Sequence, residues 1–378
     1  MQLEDKTILI ISQQAWSDLL VSKHHYAIEL SQRNNRVFFL NPPDQHRALK
    51  PGKFALRDTS FPNLKVIDHR LPIPYILKFH FRKAFNYGMK WHIDSLIKKA
   101  IGPLDLVWSF DLSDTIPLSC FAKNVFKIFM PVDMPYNDAS ILAAAPSNCI
   151  IVITQQNEIA YQRMNKSMLR ITHGVDPMFI RNSISEKKNS DVIRIGMSGN
   201  FTRNDIDWST LHRIISKLDR VEIHCWGAST PEVDLNKEDV SRINQSIHSF
   251  LQSKAVHYHG KLDSRALAKA YLEMDGFLIC YHPLLDFTGG GNYHKMLEFL
   301  GTGKVIISNF GETYHGTGLV EMSESKNNED LPDLFNKVVS SIEHYNAPEL
   351  QQNRIQFASQ NTYACQVERI NNFLSNIE

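Results

Sequence analysis

The sequence has no long hydrophobic run, and none of its 378 residues lies in a stretch that approaches the roughly 20 continuous apolar residues of a membrane-spanning helix. It begins Met1-Gln-Leu-Glu-Asp-Lys, with acidic residues where a secretory signal would carry basic ones, and the apolar run Ile8–Ile11 is short. The five cysteines are scattered, without a CxxC pair or a His/Cys cluster. We therefore expect no disulfide framework and no structural zinc site, and the reducing cytoplasm is the expected compartment.

The chain has almost no net charge, with 41 basic against 40 acidic residues, but its charge is unevenly distributed. Residues 46–100 contain twelve lysines and arginines and three acids, which gives a net charge of +9. Within this stretch, residues 74–99 interleave six cations with aromatic side chains. Such a segment is typical of a helix that docks on an anionic membrane, and equally of a solvated helix that covers a sheet. Nucleic acid is not an expected partner, because no DNA- or RNA-binding module accompanies the charge.

Hydrophobic residues make up 43% of the chain and charged residues 21%, the proportions of a globular protein, and the length predicts about two domains. Short β-branched or apolar runs alternate with amphipathic stretches, beginning with a strand at 6–11 and a helix at 22–33. Further strands are predicted at residues 36–40, 64–67, 105–108, 125–129, 149–153, 169–171, 192–197, 221–226, 256–259, 276–280 and 305–308. The alternation stops at the polar segment 181–191 and then restarts. This order predicts an α/β fold of two doubly wound, Rossmann-like domains, 1–180 and 190–354, facing a cleft at the carboxyl ends of two parallel sheets.

A glycine triplet, Gly289–Gly291, precedes a predicted helix that starts with Asn292 and Tyr293. Glycines let the backbone approach a ligand, and the free N–H groups at a helix start favour a phosphate. Lys295 and Glu298 are three residues apart and therefore share one helical face. A cation for phosphate and a carboxylate for ribose hydroxyls would suit a nucleoside diphosphate. The alternative is a flexible glycine turn before a helix that carries an ordinary surface ion pair.

The wider segment 286–308 resembles the donor-site signature of GT-B glycosyltransferases, K-x-x-E-[FY]-[LM]-x-x-G-K-P-V-[IV]. Other blocks resemble the same family, of the family-four, teichuronic-acid type (group 1-like), and occur in the same order. They are Trp16 with residues 22–25, residues 39–43, the turn 169–179, and the glycine-rich segment 195–200 with Asp207-Trp208. The resemblance covers nearly the whole chain, and around the predicted helix it extends to a glucuronosyltransferase-like branch.

The resemblance implies that the second domain binds a nucleotide-diphosphate sugar and that residues 355–378 cross back onto the first. The donor would be held by Gly199, Asn200 and Arg203 together with the glycine triplet and the helix after it. Lys295 would carry the phosphate charge, because no lysine follows Arg203 nearby. Many retaining members have two glutamates eight positions apart. Here Glu298 is the second, but Gly290 stands at the first position, so a retaining and an inverting outcome both stay open.

Candidate residues for the acceptor lie in the first domain. Asp133 follows a predicted strand, where it could act as general base in an inverting reaction or cap the following turn or helix. His24 and His25 begin the first helix, where one of them could take the acceptor proton in place of Asp133, bind acceptor or phosphate, or simply be solvated. His173 and Gly174 predict a tight interdomain turn, with Gly174 at positive φ and a ligand contact as the second interpretation.

The implied activity is the transfer of a sugar from a nucleotide-diphosphate sugar to a glycan or lipid-linked acceptor in surface polysaccharide biosynthesis. The enzyme would be hexosyltransferase- or glucuronosyltransferase-like, and would work in the cytoplasm or on the inner face of the membrane. We expect no Asp-x-Asp element near a strand end, so helix N-termini, Arg203 or Lys295 are expected to meet the leaving-group charge without metal or cofactor. A nucleotide-sugar epimerase of the same fold, or a non-catalytic sugar-binding scaffold, are the alternatives.

Overall fold

The computed structural model describes residues 1–17, 20–44, 48–184, 191–230, 245–282, 285 and 292–377. The chain divides into two units, the first of Met1–His173 with Tyr363–Glu378 and the second of Gly174–Thr362. The predicted bounds at 180 and 190 differ from this division because Val175 and Phe179 already pack in the core of the second unit. The predicted return at 355 differs because Ala358 still belongs to that core, whereas Tyr363 belongs to the first.

The first unit is built on an eight-stranded sheet in the part of the chain that the structure describes. Its strands are β1 (Thr7–Ile11), β2 (Arg36–Leu40), β3 (Phe54–Asp58), β4 (Leu64–His69), β5 (Leu106–Ser109), β6 (Phe126–Phe129), β7 (Cys149–Val152) and β8 (Ser167–Arg170). Their order is β3-β4-β2-β1-β5-β6-β7-β8, and β3 runs antiparallel to β4 while the other pairs are parallel. Strands β1 and β7 are buried along their whole length, as expected for parallel strands covered on both faces.

The second unit has a parallel sheet of six strands among its described residues. They are β9 (Ile193–Asn200), β10 (Val221–Ala228), β11 (Val256–Tyr258), β12 (Gly276–Ile279), β13 (Val305–Ser308) and β14 (Glu321–Met322), in the order β11-β10-β9-β12-β13-β14. In each sheet, successive strands are added first on one side and then on the other. The change occurs between β1 and β5 in the first sheet and between β9 and β12 in the second. Ligands of open α/β sheets bind outside the carboxyl ends of the strands at such switch points.

Helices connect most of the strands. They are α1 (Ser22–Ser31), α2 (Leu77–His80), α3 (Arg82–Leu96), α4 (Asp138–Leu142), α5 (Gln155–Tyr161), α6 (Trp208–Ile215), α7 (Ser264–Tyr271), α8 (His294–Gly301), α9 (Leu331–Ser340), α10 (Ile342–Tyr345), α11 (Pro348–Ser359) and α12 (Tyr363–Asn376), and residues 245–251 are also helical. Aspartate side chains cap the N-termini of two of these helices. Asp207 accepts from the Thr210 amide at α6, and Asp263 accepts from the Ala266 amide at α7. No described helix has the length and apolar character to cross a membrane.

Each sheet carries a hydrophobic core on both faces, because successive side chains of a strand point to opposite sides. In β1, Leu9 and Ile11 pack into one cluster and Ile8 and Ile10 into the other. The second of these clusters also contains residues of α12, so the end of the chain completes the core of the first unit. The second sheet is likewise covered on both faces. The predicted α/β class with two doubly wound parallel-sheet domains is confirmed.

Candidate active site

The switch point of the second sheet brings Gly199 of β9 close to side chains from two other elements. A Cβ atom at Gly199 would lie 3.4 Å from the Tyr281 hydroxyl and 3.5 Å from Cε of Lys295. Tyr281 follows β12, and Lys295 lies in the first turn of α8. On the neighbouring strand Gly227 has a φ of +142°, and a Cβ there would come within 1.6 Å of the Gly199 carbonyl oxygen. Glycine is therefore required at 227, where β9 and β10 end side by side.

Arg203 is held in this site by a carboxylate that the sequence analysis did not identify. Its Nε donates to Oδ1 of the buried Asp205 over 2.7 Å, and a second guanidinium nitrogen donates to the other carboxylate oxygen. This hydrogen bonding raises the pKa of the Arg203 guanidinium. The guanidinium also lies over the Tyr281 ring, 4.9 Å from its centroid. A fixed, permanently charged cation at this position suits an anionic ligand.

Lys295 adds a second cation to the site, and Glu298 supplies a buried carboxylate. Burial lowers the pKa of the Lys295 ammonium, the charge of Glu298 opposes that shift, and the charge of Arg203 adds to it. Two cations that repel each other beside a glycine backbone would be stabilised by a bound anion. The Glu298 carboxylate is oriented from two sides, with Oε1 3.3 Å from His294 Nδ1 and Oε2 accepting from the Tyr271 hydroxyl over 3.5 Å.

Two predicted donor-site residues have local structural roles. The Oδ1 atom of Asn200 accepts from the Thr202 amide over 3.0 Å and from the Thr202 hydroxyl over 2.7 Å, which closes the turn after β9. The Tyr293 ring is buried against Tyr281, with 4.7 Å between ring centroids, and its hydroxyl accepts from Asn309 over 2.9 Å. Both residues lie close to Arg203 and Lys295, and their own hydrogen bonds hold the backbone and rings that surround these two cations.

The start of α8 differs from the prediction. The helix begins at His294, so Asn292 and Tyr293 precede it and do not form its first turn. Asn292 is buried. The predicted phosphate loop Gly289–Gly291 lies outside the described residues.

The chain does contain one Asp-x-Asp element after a strand, Asp205-Ile206-Asp207, which the sequence analysis overlooked. Both carboxylates are engaged within the protein. Asp205 binds Arg203, and Asp207 accepts from the Thr210 amide over 3.0 Å and from Asn328 over 2.9 Å. These contacts give both aspartates a positioning role in the second unit.

In the first unit, Asp133 is exposed after β6, and a buried lysine lies near it. The Lys23 ammonium donates to Gln14 over 2.9 Å; burial lowers its pKa, and the charges of Asp133 and Asp111 oppose the shift. The alternative role of Asp133 as a helix cap is wrong, because Asn137 caps α4. Lys23 was not among the predicted site residues, although a lysine on the apolar side of α1 is the signal that could have identified it.

His24 is a buried structural residue in this fold. Its Nδ1 accepts from the Val21 amide over 2.9 Å, its Nε2 donates to the Ala15 carbonyl over 3.2 Å, and its ring stacks on Phe39. Burial lowers the pKa of His24 to about 4, so the ring is neutral. The predicted catalytic role does not fit, because both ring nitrogens are used locally. His25 is half-buried and stacks on Tyr363, with ring centroids 4.6 Å apart.

The division between the two units falls between His173 and Gly174. The His173 carbonyl accepts from Gln366 over 3.0 Å, which ties this end of the first unit to α12. Gly174 is not among the described glycines with positive φ, so the predicted left-handed backbone there is wrong.

A cavity of about 790 Å³ opens at the carboxyl ends of the strands of the first sheet. Its walls come from the loops after β1, β2, β4 and β5, and include Ser12, Asn41, Arg70, Tyr75 and Asp111. The last loop is fixed by Asp111, whose carboxylate accepts from the backbone amides of residues 113, 115 and 116. The position is the switch point between β1 and β5, and the volume is in the range of small-molecule sites.

Two doubly wound parallel-sheet units of this kind are the architecture of the GT-B fold. The structure is similar to sucrose-phosphate synthase from Thermosynechococcus elongatus, with a TM-score of 0.71 and 12% identity over 99% of this chain and 100% of that one. It is also similar to Anabaena HepE in complex with UDP-glucose, with a TM-score of 0.64 and 13% identity over 98% of this chain and 100% of that one. A third similar structure is the trehalose-phosphate synthase of Burkholderia vietnamiensis, with a TM-score of 0.68 and 11% identity over 98% of this chain and 96% of that one. No family model and no curated protein matches the sequence. At such identities the likeness is one of fold, and the predicted GT-B fold is confirmed.

Proposed function

We propose that this protein is a glycosyltransferase that takes a sugar from a nucleotide-diphosphate sugar bound in the second unit. The observation that carries the proposal is the convergence of Arg203, Lys295 and Glu298 beside Gly199, at the switch point of the sheet. Two cations match a diphosphate, and a buried, oriented carboxylate matches a pair of ribose hydroxyls. The fold of HepE, which was solved with UDP-glucose, makes uridine-diphosphate sugars the first donors to test.

The leaving diphosphate gains negative charge as the bond between the anomeric carbon of the sugar and the phosphate oxygen breaks. In our proposal Arg203 and Lys295 stabilise that charge, so transfer needs no metal ion. Asp205 keeps the Arg203 guanidinium oriented before the donor arrives, which removes a reorganisation cost from the reaction. His294 and Tyr271 orient Glu298 in the same way.

For the acceptor we propose the 790 Å³ cavity of the first unit and a glycan or lipid-linked substrate of surface polysaccharide synthesis. Asp133 would accept the proton of the attacking hydroxyl, which requires an inverting reaction. Its exposure and its place after β6 leave the carboxylate accessible to a substrate.

The activity can be tested by incubating the protein with a panel of nucleoside-diphosphate sugars and measuring the released nucleoside diphosphate. We expect slow release with one or a few donors and faster release when an acceptor is added. If a donor binds but no nucleoside diphosphate is released with any acceptor, the non-catalytic scaffold is favoured. Conversion of the donor into its epimer, without release, would identify the epimerase.

The basic and aromatic segment supports a further part of the proposal, docking at the inner face of an anionic membrane. Helix α3 covers the first sheet with one face, through Phe85, Met89 and Ile93. Five aromatic side chains of the segment are exposed all the same: Tyr75 at 41%, Phe79 and Phe81 at 65%, Tyr87 at 81% and Trp91 at 58%. Exposed aromatics among cations are what an interfacial segment presents to lipid.

We expect the protein to sediment with anionic vesicles at low salt and much less with neutral ones. Reversing the exposed Lys83, Lys98 and Lys99 to glutamate should weaken binding by on the order of 100-fold, because each cation near an anionic surface contributes about 1 kcal/mol. The matched control reverses three exposed lysines elsewhere, Lys123, Lys254 and Lys269, with the same change in net charge. Equal losses in both triple variants, or no binding by the wild type, would contradict docking through this segment.

A further inference from the structure

Four side chains suited to metal binding meet on one face of the second sheet, and none of them belongs to the proposed donor site. Glu222 and His224 lie on β10, and His257 and His259 occupy β11 and the residue after it. Within each pair the spacing is two residues, so both side chains point to the same face. The parallel register places His224 beside His257 and therefore brings the two pairs together at the sheet edge.

The distances within this cluster match a tetrahedral metal site. The Nε2 atom of His224 lies 3.3 Å from one oxygen of Glu222, and Nε2 of His257 lies 3.6 Å from the other. The ligand atoms of the three residues all lie within 4.8 Å of one another. Bonds of about 2.0–2.2 Å to a tetrahedral Zn²⁺ require ligand atoms about 3.4 Å apart. Small side-chain rotations would therefore bring all three groups onto one ion.

His259 orients the central ligand. Its Nε2 atom lies 3.0 Å from Nδ1 of His224, the ring nitrogen that faces away from Glu222. Histidines that bind a metal through one nitrogen usually hydrogen-bond through the other, which fixes the tautomer and the ring orientation. The rings of His224 and His259 are also stacked, 5.2 Å apart and nearly parallel.

We propose that Glu222, His224 and His257 bind one divalent transition-metal ion of the Zn²⁺ class, with His259 as the positioning residue. Two imidazoles and one carboxylate suit such an ion, and the partly exposed side chains leave a coordination position open to water. Cys225 points to the opposite core, so the ligands are nitrogen and oxygen only. The ion would join β11, a short edge strand, to β10, and this role is independent of the proposed sugar transfer.

The test is calorimetric titration of the chelator-treated protein with Zn²⁺, together with the visible spectrum after Co²⁺ is added. We expect the titration to give one Zn²⁺ ion per chain. We expect the Co²⁺ protein to show the visible spectrum of a tetrahedral site. His257→Ala and Glu222→Gln should each weaken Zn²⁺ binding by at least about 100-fold, and His259→Ala by about 10- to 100-fold with the stoichiometry retained. Both His257 and Glu222 are partly exposed, so these variants are expected to fold.

His80→Ala is the matched control, an exposed histidine in the other unit, and should bind Zn²⁺ like the wild type. Zn²⁺ binding that survives unchanged in both His257→Ala and Glu222→Gln would overturn the proposal. So would a loss of the same size in His80→Ala, since binding would then belong to scattered surface histidines. Nucleotide binding should be unaffected by His257→Ala, which separates this site from the donor site.

Discussion

Asp133→Asn is expected to lower the turnover number by about 10²- to 10⁴-fold while donor binding stays intact. The amide has the size of the carboxylate but cannot take the proton of the attacking hydroxyl. Asp133 lies in the first unit and the donor residues in the second, so the nucleotide affinity should not change. The measurement is steady-state turnover with the best donor, together with calorimetric titration of the nucleotide.

Asp58→Asn serves as the control for this variant, because Asp58 is an exposed carboxylate of the same unit in a surface ion pair with Lys65. It should keep wild-type turnover. An unchanged turnover number in Asp133→Asn would remove Asp133 from the mechanism. The anomeric configuration of the product, read by NMR, is an independent check, because a general base at Asp133 predicts inversion.

Glu298→Gln is expected to weaken nucleotide binding by about 10- to 150-fold, because a hydrogen bond to a charged group contributes about 1.5–3 kcal/mol. Glutamine keeps the volume of the buried side chain and can still accept from Tyr271, so the fold should persist. The loss should be similar for a nucleoside diphosphate and its monophosphate, since both contain the ribose that Glu298 would bind.

Glu324→Gln removes an exposed carboxylate from the same unit and is the matched control for this change. It should bind nucleotide like the wild type. If Glu298→Gln binds nucleotide with the affinity of the wild type, Glu298 does not contact the ribose. A melting temperature that falls in proportion to the loss of affinity would instead assign Glu298 to the core of the unit.

Most of the fold was predictable because most central strands are short runs rich in apolar and β-branched residues. Strand β13 matches its predicted bounds, and β1 and β10 differ from theirs by one or two residues. Strands β3 and β14 lie at sheet edges and were not predicted. Edge strands are partly exposed and their polar residues break the apolar run, so local pattern carries little information about them.

Two kinds of information predicted parts of the candidate donor site: the family resemblance for Gly199 and Arg203, and short sequence spacing for Lys295 and Glu298. Lys295 and Glu298 are three positions apart on a helix, and their shared face follows from helical geometry. Tyr281 reaches the site from another strand, and Lys23 approaches Asp133 from a distant helix. Such neighbours are set by the tertiary fold.

The histidine cluster shows the same limit. Each motif shows a visible alternation, Glu-x-His within β10 and His-x-His in β11 and the residue that follows it. The two motifs are more than 30 residues apart, and only the strand register brings His224 beside His257. A shift of one residue would place them on opposite faces.

The most direct test of the donor site compares a nucleoside diphosphate with its monophosphate in wild-type protein and in Lys295→Ala, by calorimetric titration. The nucleoside is the one that wild type binds best, and Lys269→Ala, which removes an exposed lysine of the same unit, is the control. We predict that wild type prefers the diphosphate and that Lys295→Ala loses most of this preference while still binding the monophosphate. Equal losses for both nucleotides, or a wild type that binds no nucleoside diphosphate, would contradict the account.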